Sequence, residues 1–335
     1  MKRIFHFLLF AAALVYGLAG IYLEMERELV PALDGRTLEV AIAEGQSALQ
    51  AAEAFERAGA VTRAEELVKW MKRGGIEKKL LPGTYRVKAG RPVEVAAQLA
   101  AAKPVSPSAT IIPGAVFDDI AGSVPGGGAE TLSAALRLDS NFPGDARALL
   151  PDSERDRITL LAPDTYAVPS GDKYADTLVS RASAKWWEQH GDALSGDVTS
   201  ADIASLGVLA SIVQKEALMD SDRQLIAGVM RNRLKLDMPL QIDATVVHAW
   251  KLRGVKKNSL TYNDLTVESP FNTYLHKGLP PENIGVPGKE SWDAALNPAD
   301  TDMLFYFARR DGFHIFTRTY QEHLAMQKKE REKTR

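Results

Sequence analysis

The stretch IFHFLLFAAALVYGLAGIYL, Ile4 to Leu23, carries no Asp, Glu, Lys or Arg. About 20 such residues are what a helix needs to cross the hydrocarbon of a bilayer, so the chain is predicted to open with one transmembrane span. Lys2 and Arg3 precede it and Glu24 and Glu26 follow it, which predicts an N-terminus in the cytoplasm and the remaining chain outside. A cleavable signal peptide is the alternative, because Gly17, Leu18, Ala19 resembles a small-residue cleavage site. The run is longer than a usual signal-peptide core, which favours a retained anchor. Under either reading the rest of the chain works outside the cytoplasm.

The chain as a whole is compositionally ordinary. Among 335 residues, 41 Lys and Arg face 43 Asp and Glu, a net charge of −2 that provides no footprint for nucleic-acid binding. Hydrophobic residues at 45% and charged residues at 25% allow packed cores and argue against a disordered or polytopic chain. The length predicts about two domains. There is no Cys, which removes disulfides, thiol nucleophiles and thiolate metal sites together.

From Leu38 to Leu99 the pattern alternates. Val40 and Ile42 lead into Glu44, Gly45; Leu49, Ala52 and Phe55 follow at helical spacing, then Leu67, Trp70 and Met71; Thr84 to Val87 is strand-like after Pro82, Gly83. A small α+β module over 38–103 is predicted. A related phrase recurs at Ala109 to Val124, where Thr110, Ile111, Ile112 precede Pro113, Gly114 and then Phe117, Ile120, Ala121. It marks a second small strand-helix segment over 108–146, with Pro104 to Pro107 as linker. The polar motifs concentrate in 147–327, and 328–335 is a charge run expected as solvated helix end or disorder.

A helix is predicted from about Ser205 to Leu218. Leu209, Ile212, Val213 and Glu216 fall at i, i+3, i+4 and i+7, so a carboxylate occupies the stripe that ought to face the core. Desolvation there would raise its pKa toward the range of a general acid. The alternative is a structural ion pair with Arg223, Arg231 or Arg233. Ser221 and Gln224 read as a capping box for a following helix with Leu225, Ile226, Val229, Met230 and Leu234 on one face. Gln241, Asp243 and Thr245 alternate with Ile242, Ala244 and Val246, as in a half-buried strand lining a groove or a plain exposed strand. Asn272, Thr273, Tyr274 offers hydrogen-bonding groups and an aromatic plane suited to a sugar or peptide, although loop structure alone also accounts for it. The six His show no zincin spacing, no Gly-x-Ser-x-Gly elbow occurs, and Gly126 to Gly128 lacks the Lys of a phosphate loop, so no metal and no cofactor are expected.

Leu209 to Glu216 (LASIVQKE), Val229 to Thr245 (VMRNRLKLDMPLQIDAT), Ser269 to Pro281 (SPFNTYLHKGLPP), Ala294 to Asp302 (AALNPADTD) and Pro163 to Tyr166 (PDTY) together resemble, in order and spacing, the endolytic murein transglycosylase (YceG-like) family. The resemblance implies an α+β fold: an N-terminal transmembrane helix, a LysM-like module, and a mixed α+β catalytic domain with a glycan groove. It implies a lytic cut of peptidoglycan between N-acetylmuramic acid and N-acetylglucosamine, leaving anhydro-muramyl ends. The rival reading is a weak or inactive glycan-binding scaffold.

On the same resemblance Glu216 matches the catalytic Glu. Asp164, Tyr166, Asn232, Gln241, Asp243, Asn272, Thr273 and Tyr274 match positions that would line the groove. Implied partners are glycan strands, the plasma (inner) membrane through the anchor, and cell-wall synthases; the implied place is the periplasmic or extracytoplasmic face of a bacterial membrane. The chain departs from the family pattern at Gln214, Ala217 and Ala244, between Pro113 and Gly114, and around Ile158 to Ala162. Gln214 cannot transfer a proton, which leaves Glu216 the only acid in its segment.

Overall fold

A computed structural model describes residues 14–18, 20, 35–42, 45–81, 83–104, 108–125, 127–169, 171–194 and 196–333. Among them no helix is long and apolar enough to cross a membrane. The predicted span 4–23 lies outside the described residues apart from 14–18 and 20. The chain divides into two compact units, Met1–Pro107 and Ser108–Arg335. Both are mixed α+β, with only two-stranded sheets among the described residues.

In the first unit the order is β1 (Thr37–Ile42), α1 (Ala48–Arg57), α2 (Ala64–Arg73), β2 (Gly83–Lys88) and α3 (Pro92–Ala101). The strands pair antiparallel, Thr37 opposite Lys88 and Ile42 opposite Gly83. Alternation puts Val40, Ile42, Tyr85 and Val87 on one buried face. Phe55, Leu67, Met71, Val95 and Leu99 cover that face from the helices. Ser47 caps α1, accepting from the Gln50 backbone while the Gln50 side chain bonds back to Ser47 N–H.

The second unit begins with β3 (Ser108–Ile111), α4 (Phe117–Ala121), α5 (Gly128–Arg137), α6 (Glu154–Arg157) and β4 (Asp164–Ala167). It continues through α7 (Tyr174–His190), α8 (Ser200–Glu216), α9 (Arg223–Lys235), α10 (Asp243–Leu252), α11 (Lys289–Leu296), β5 (Phe305–Ala308), β6 (His314–Thr317) and α12 (Tyr320–Lys333). β3 pairs with β4 and β5 with β6, both antiparallel. Residues 108–146 and 147–327, set apart on the sequence, share the β3–β4 ribbon and one hydrophobic core.

At the centre of this unit lies α8. Its run from Gly207 to Val213 is buried on all sides, as an all-round apolar sequence requires. Thr199 caps its start in a box with Asp202. α11 lies against it, with Trp292 wholly buried and its indole N–H donating to Thr159 O at 2.8 Å.

Two local expectations are corrected. Ser221 does not cap α9; its hydroxyl bonds Asp222, and the Asp222 carboxylate is committed to His314. The alternating run at 241–246 is no strand: Gln241 takes φ +52° and α10 starts at Asp243. Ile242, Thr245, Val246 and Ala249, spaced i, i+3, i+4, i+7, are the buried set, so the helical period overrides the alternation.

Candidate active site

The last three residues of α8 step round the helix by about 100° each, and each meets a different neighbour. Gln214 Oε1 accepts from Gly288 N–H and from the Ser291 hydroxyl, both at 2.9 Å, anchoring the start of α11. The Lys215 ammonium donates to Gly114 O at 2.6 Å. That carbonyl belongs to a turn at φ +80°, packed so closely on Gly285 that a Cβ there would stand 2.7 Å from Gly114 O. Glu216 turns inward, toward α10 and β5. The helix stops behind it because Ala217 is extended, φ −78°, ψ 120°.

The Glu216 carboxylate accepts the Tyr306 hydroxyl at 3.0 Å and faces the backbone N–H of Ala244 in the first turn of α10. Burial pushes its pKa up, and the negative charge of Asp243 adds to this; the Tyr306 hydroxyl, Ala244 N–H and His314 oppose without reversing it. No Lys, Arg or His side-chain nitrogen lies within 4.0 Å of this carboxylate among the described residues. The structural ion pair weighed on the sequence is therefore absent: Arg223 pairs with Asp220, Arg231 approaches Asp300, and Arg233 serves carbonyls.

Three side chains hold this arrangement. Arg233 on α9 donates to Leu304 O, just before β5, and to Leu240 O, just before α10, each at 2.7 Å, while its guanidinium covers the Phe305 ring at 5.1 Å. It thereby sets the strand that carries Tyr306 against the helix that carries Asp243. Asn232 donates to Thr301 O and Met303 O, fixing the approach to the same strand. Asp222 accepts both the backbone N–H and ring Nδ1 of His314, and that ring stands edge-on to Tyr306 at 5.5 Å. Tyr306 is half-buried, and its hydroxyl is held far from ionising by burial and by the Glu216 charge.

Of the other expected site residues, the structure gathers Asp243 and Tyr274 with Glu216. The Tyr274 hydroxyl donates to Asp243 Oδ1 at 2.7 Å, and burial together with that carboxylate raises the phenol pKa. Gln241 is exposed immediately before them, its backbone N–H bonded to Thr273 O. Asn272 and Thr273 are buried, at 0% and 2% exposure, and their polar atoms are used internally. Asn272 donates to Leu265 O and Val267 O and accepts from Tyr274 N–H; Thr273 Oγ1 accepts Ile242 N–H and bonds Thr245. They shape the turn that presents Tyr274.

Asp164 and Tyr166 sit on β4 with partners of their own, Lys185 for the carboxylate and Ala162 O for the hydroxyl. Among the described residues none of their hydrogen bonds reaches the Glu216 cluster. A cleft of about 380 Å³ shares α10 with the cluster; Phe117, Arg155, His248, Lys251, Phe271 and Glu282 line it, and Glu216, Asp243, Tyr274 and Tyr306 do not. Sequence reasoning missed Tyr306 and His314. The signal available for Tyr306 was a hydroxyl-bearing ring in the otherwise apolar strand FYFA, since a buried tyrosine needs a partner for its O–H. Among the described residues no group of three or more His, Cys, Asp or Glu is placed to hold a metal ion.

The arrangement offers one half-buried carboxyl whose pKa is raised beside an exposed carboxylate, the combination that acid-catalysed cleavage of a glycosidic bond uses. The model of the YceG-like family matches residues 40–329. An endolytic murein transglycosylase of Bacillus subtilis is 44% identical over 121 residues, 36% of this chain and 33% of that protein. One from Streptococcus pneumoniae is 29% identical over 230 residues, 62% of this chain and 41% of that protein. The chain thus spans between a third and about two fifths of these relatives' lengths. A crystal structure of a YceG-like protein from Listeria monocytogenes superposes with a TM-score of 0.53 at 26% identity, covering 88% of this chain and 100% of that one.

Proposed function

The chain belongs to the YceG-like family, and from that premise we propose that it is a lytic transglycosylase of peptidoglycan, cutting glycan strands internally between N-acetylmuramic acid and N-acetylglucosamine. The observation that carries this reading is the Glu216 carboxyl, whose pKa burial raises, held by the Tyr306 O–H, which stabilises the anion once the proton leaves.

Glu216 donates its proton to the glycosidic oxygen as the bond from that oxygen to the muramyl C1 breaks. The C6 hydroxyl oxygen of the same muramyl residue then closes on C1, and its proton passes to the Glu216 carboxylate. The acid is regenerated, an anhydro-muramyl end forms, and no water is consumed. Tyr306 is the positioning residue, because its O–H fixes one carboxylate oxygen and strengthens as charge appears there.

Gln241, Asp243 and Tyr274 are the groups at hand for sugar hydroxyls and acetamido groups; exposed Asp164 would serve elsewhere on the glycan, while buried Tyr166 keeps its hydroxyl on Ala162 O. The uncharged run 4–23 supports a membrane anchor with the second unit outside the cytoplasm, and the first unit is read as LysM-like. Cell-wall synthases are the expected neighbours there, where strand cutting would end or release growing glycan.

Purified full chain incubated with sacculi, followed by mass spectrometry of the released fragments, tests the proposal. Wild type should yield anhydro-muramyl ends and Glu216→Gln should lower their rate by about 10²–10⁴-fold. A wild type that binds sacculi without producing such ends would replace the enzyme with the scaffold reading.

A further inference from the structure

Beside the half-buried carboxyl stands a second one, exposed. Asp243 is exposed and occupies the first residue of α10, where the helix N-terminus favours an anion. Its Oδ1 is fixed by the Tyr274 hydroxyl at 2.7 Å. Among the described residues Oδ2 has no hydrogen-bond partner, and no Lys, Arg or His nitrogen comes within 4.0 Å of the carboxylate. Its neighbour in the first turn of α10, Ala244, faces Glu216 with its backbone N–H, and the Asp243 charge acts on the Glu216 carboxyl. An exposed, oriented, unpaired anion in the turn that faces the acid is more than turn structure requires, since Tyr274 alone would satisfy one oxygen.

We propose that Asp243 is a second catalytic residue: its free Oδ2 stands toward the muramyl C1 and stabilises the positive charge that develops there as the glycosidic bond breaks. The inference rests on the reading given under Proposed function and deepens it. Asp243 forms no bond to the sugar and transfers no proton; the C6 oxygen still closes on C1 and the C6 proton still returns to Glu216. Such stabilisation matters because the transition state of glycoside cleavage resembles an oxocarbenium ion, and a preoriented charge aimed at it needs little reorganisation. Tyr274 is the positioning residue that keeps Oδ2 free by holding Oδ1.

Asp243→Asn keeps the shape and an oxygen for Tyr274 while removing the charge. Isothermal titration with full chain compares a neutral N-acetylglucosamine tetramer with a cationic iminosugar whose protonated ring nitrogen mimics the charge at C1. Wild type should prefer the cation by about tenfold or more. Asp243→Asn should abolish that preference, and Asp243→Glu should restore part of it. In turnover, Asp243→Asn should lose about 10²–10³-fold in kcat, a larger loss than its change in KM.

Glu216 faces Tyr306 and His314 from the β5–β6 hairpin and Asp243 from α10; removing the Asp243 charge should move the falling limb of the pH profile to lower pH. A cation preference that survives Asp243→Asn, or a kcat within about threefold of wild type, overturns the proposal. A wild type that makes no anhydro-muramyl ends removes the reading of the reaction, and the iminosugar comparison still decides whether Asp243 reads positive charge.

Discussion

Tyr306→Phe removes one oxygen and with it the O–H that reaches Glu216 Oε2 at 3.0 Å. A hydrogen bond to a charged carboxylate is worth about 1.5–3 kcal/mol and one to a neutral acid about 0.5–1.5 kcal/mol. Tyr306 therefore favours the ionised form by about 1–2 kcal/mol, roughly one pKa unit. Activity requires protonated Glu216, so the rate falls as pH rises through its pKa. Phe makes the acid weaker, which should shift that limb upward by about one unit and lower the plateau beneath it about tenfold. Release of anhydro-muramyl ends from sacculi, followed by mass spectrometry between pH 4 and pH 9, measures both. A lower plateau with an unmoved limb would mean that Tyr306 only fills space, and a limb moved to lower pH would refute the direction of the argument.

Burial raises the Glu216 carboxyl above its ordinary 4.5, so an unfolded chain releases this proton at lower pH than the folded one. The carboxyl thus costs stability above that value and nothing well below it, and Glu216→Gln should have a higher urea midpoint than wild type at pH 8 with no advantage at pH 4; equal midpoints at pH 8 would contradict the burial argument. Arg233→Ala strips the bonds to Leu304 O and Leu240 O and should cost about 2–4 kcal/mol. Arg233→Lys should recover only part, since an ammonium lacks the planar fork that reaches both carbonyls; full recovery would show that charge alone matters. Gly207→Ala places a Cβ about 2.6 Å from Thr159 Oγ1 at the centre of α8, and a loss of about 1–3 kcal/mol in denaturant unfolding is expected.

Glu216 was legible because its signal is local: a carboxylate on a stripe shared with Leu209, Ile212 and Val213, all of which the structure buries. Its choice of partner was not, because cations close in sequence drew attention while the actual donor, Tyr306, comes from a strand 90 residues away. Helix α10 shows how two periods compete over a short window. Gln241, Asp243 and Thr245 satisfy alternation, yet Ile242, Thr245, Val246 and Ala249 satisfy the helix, and only the longer register buries a continuous apolar face. Asn272 and Thr273 mark a different limit. A polar side chain reads the same in sequence whether it holds a ligand or a backbone carbonyl, and here both hold the chain itself.

Cleavage of sacculi in water enriched in oxygen-18 tests the chemistry assigned to Glu216 most directly. Closure by the C6 hydroxyl predicts new anhydro-muramyl ends without the heavy isotope, formed by wild type and lost with Glu216→Gln. New reducing muramyl ends carrying oxygen-18 would show that water attacks C1, and would contradict a lytic reaction run by a single acid.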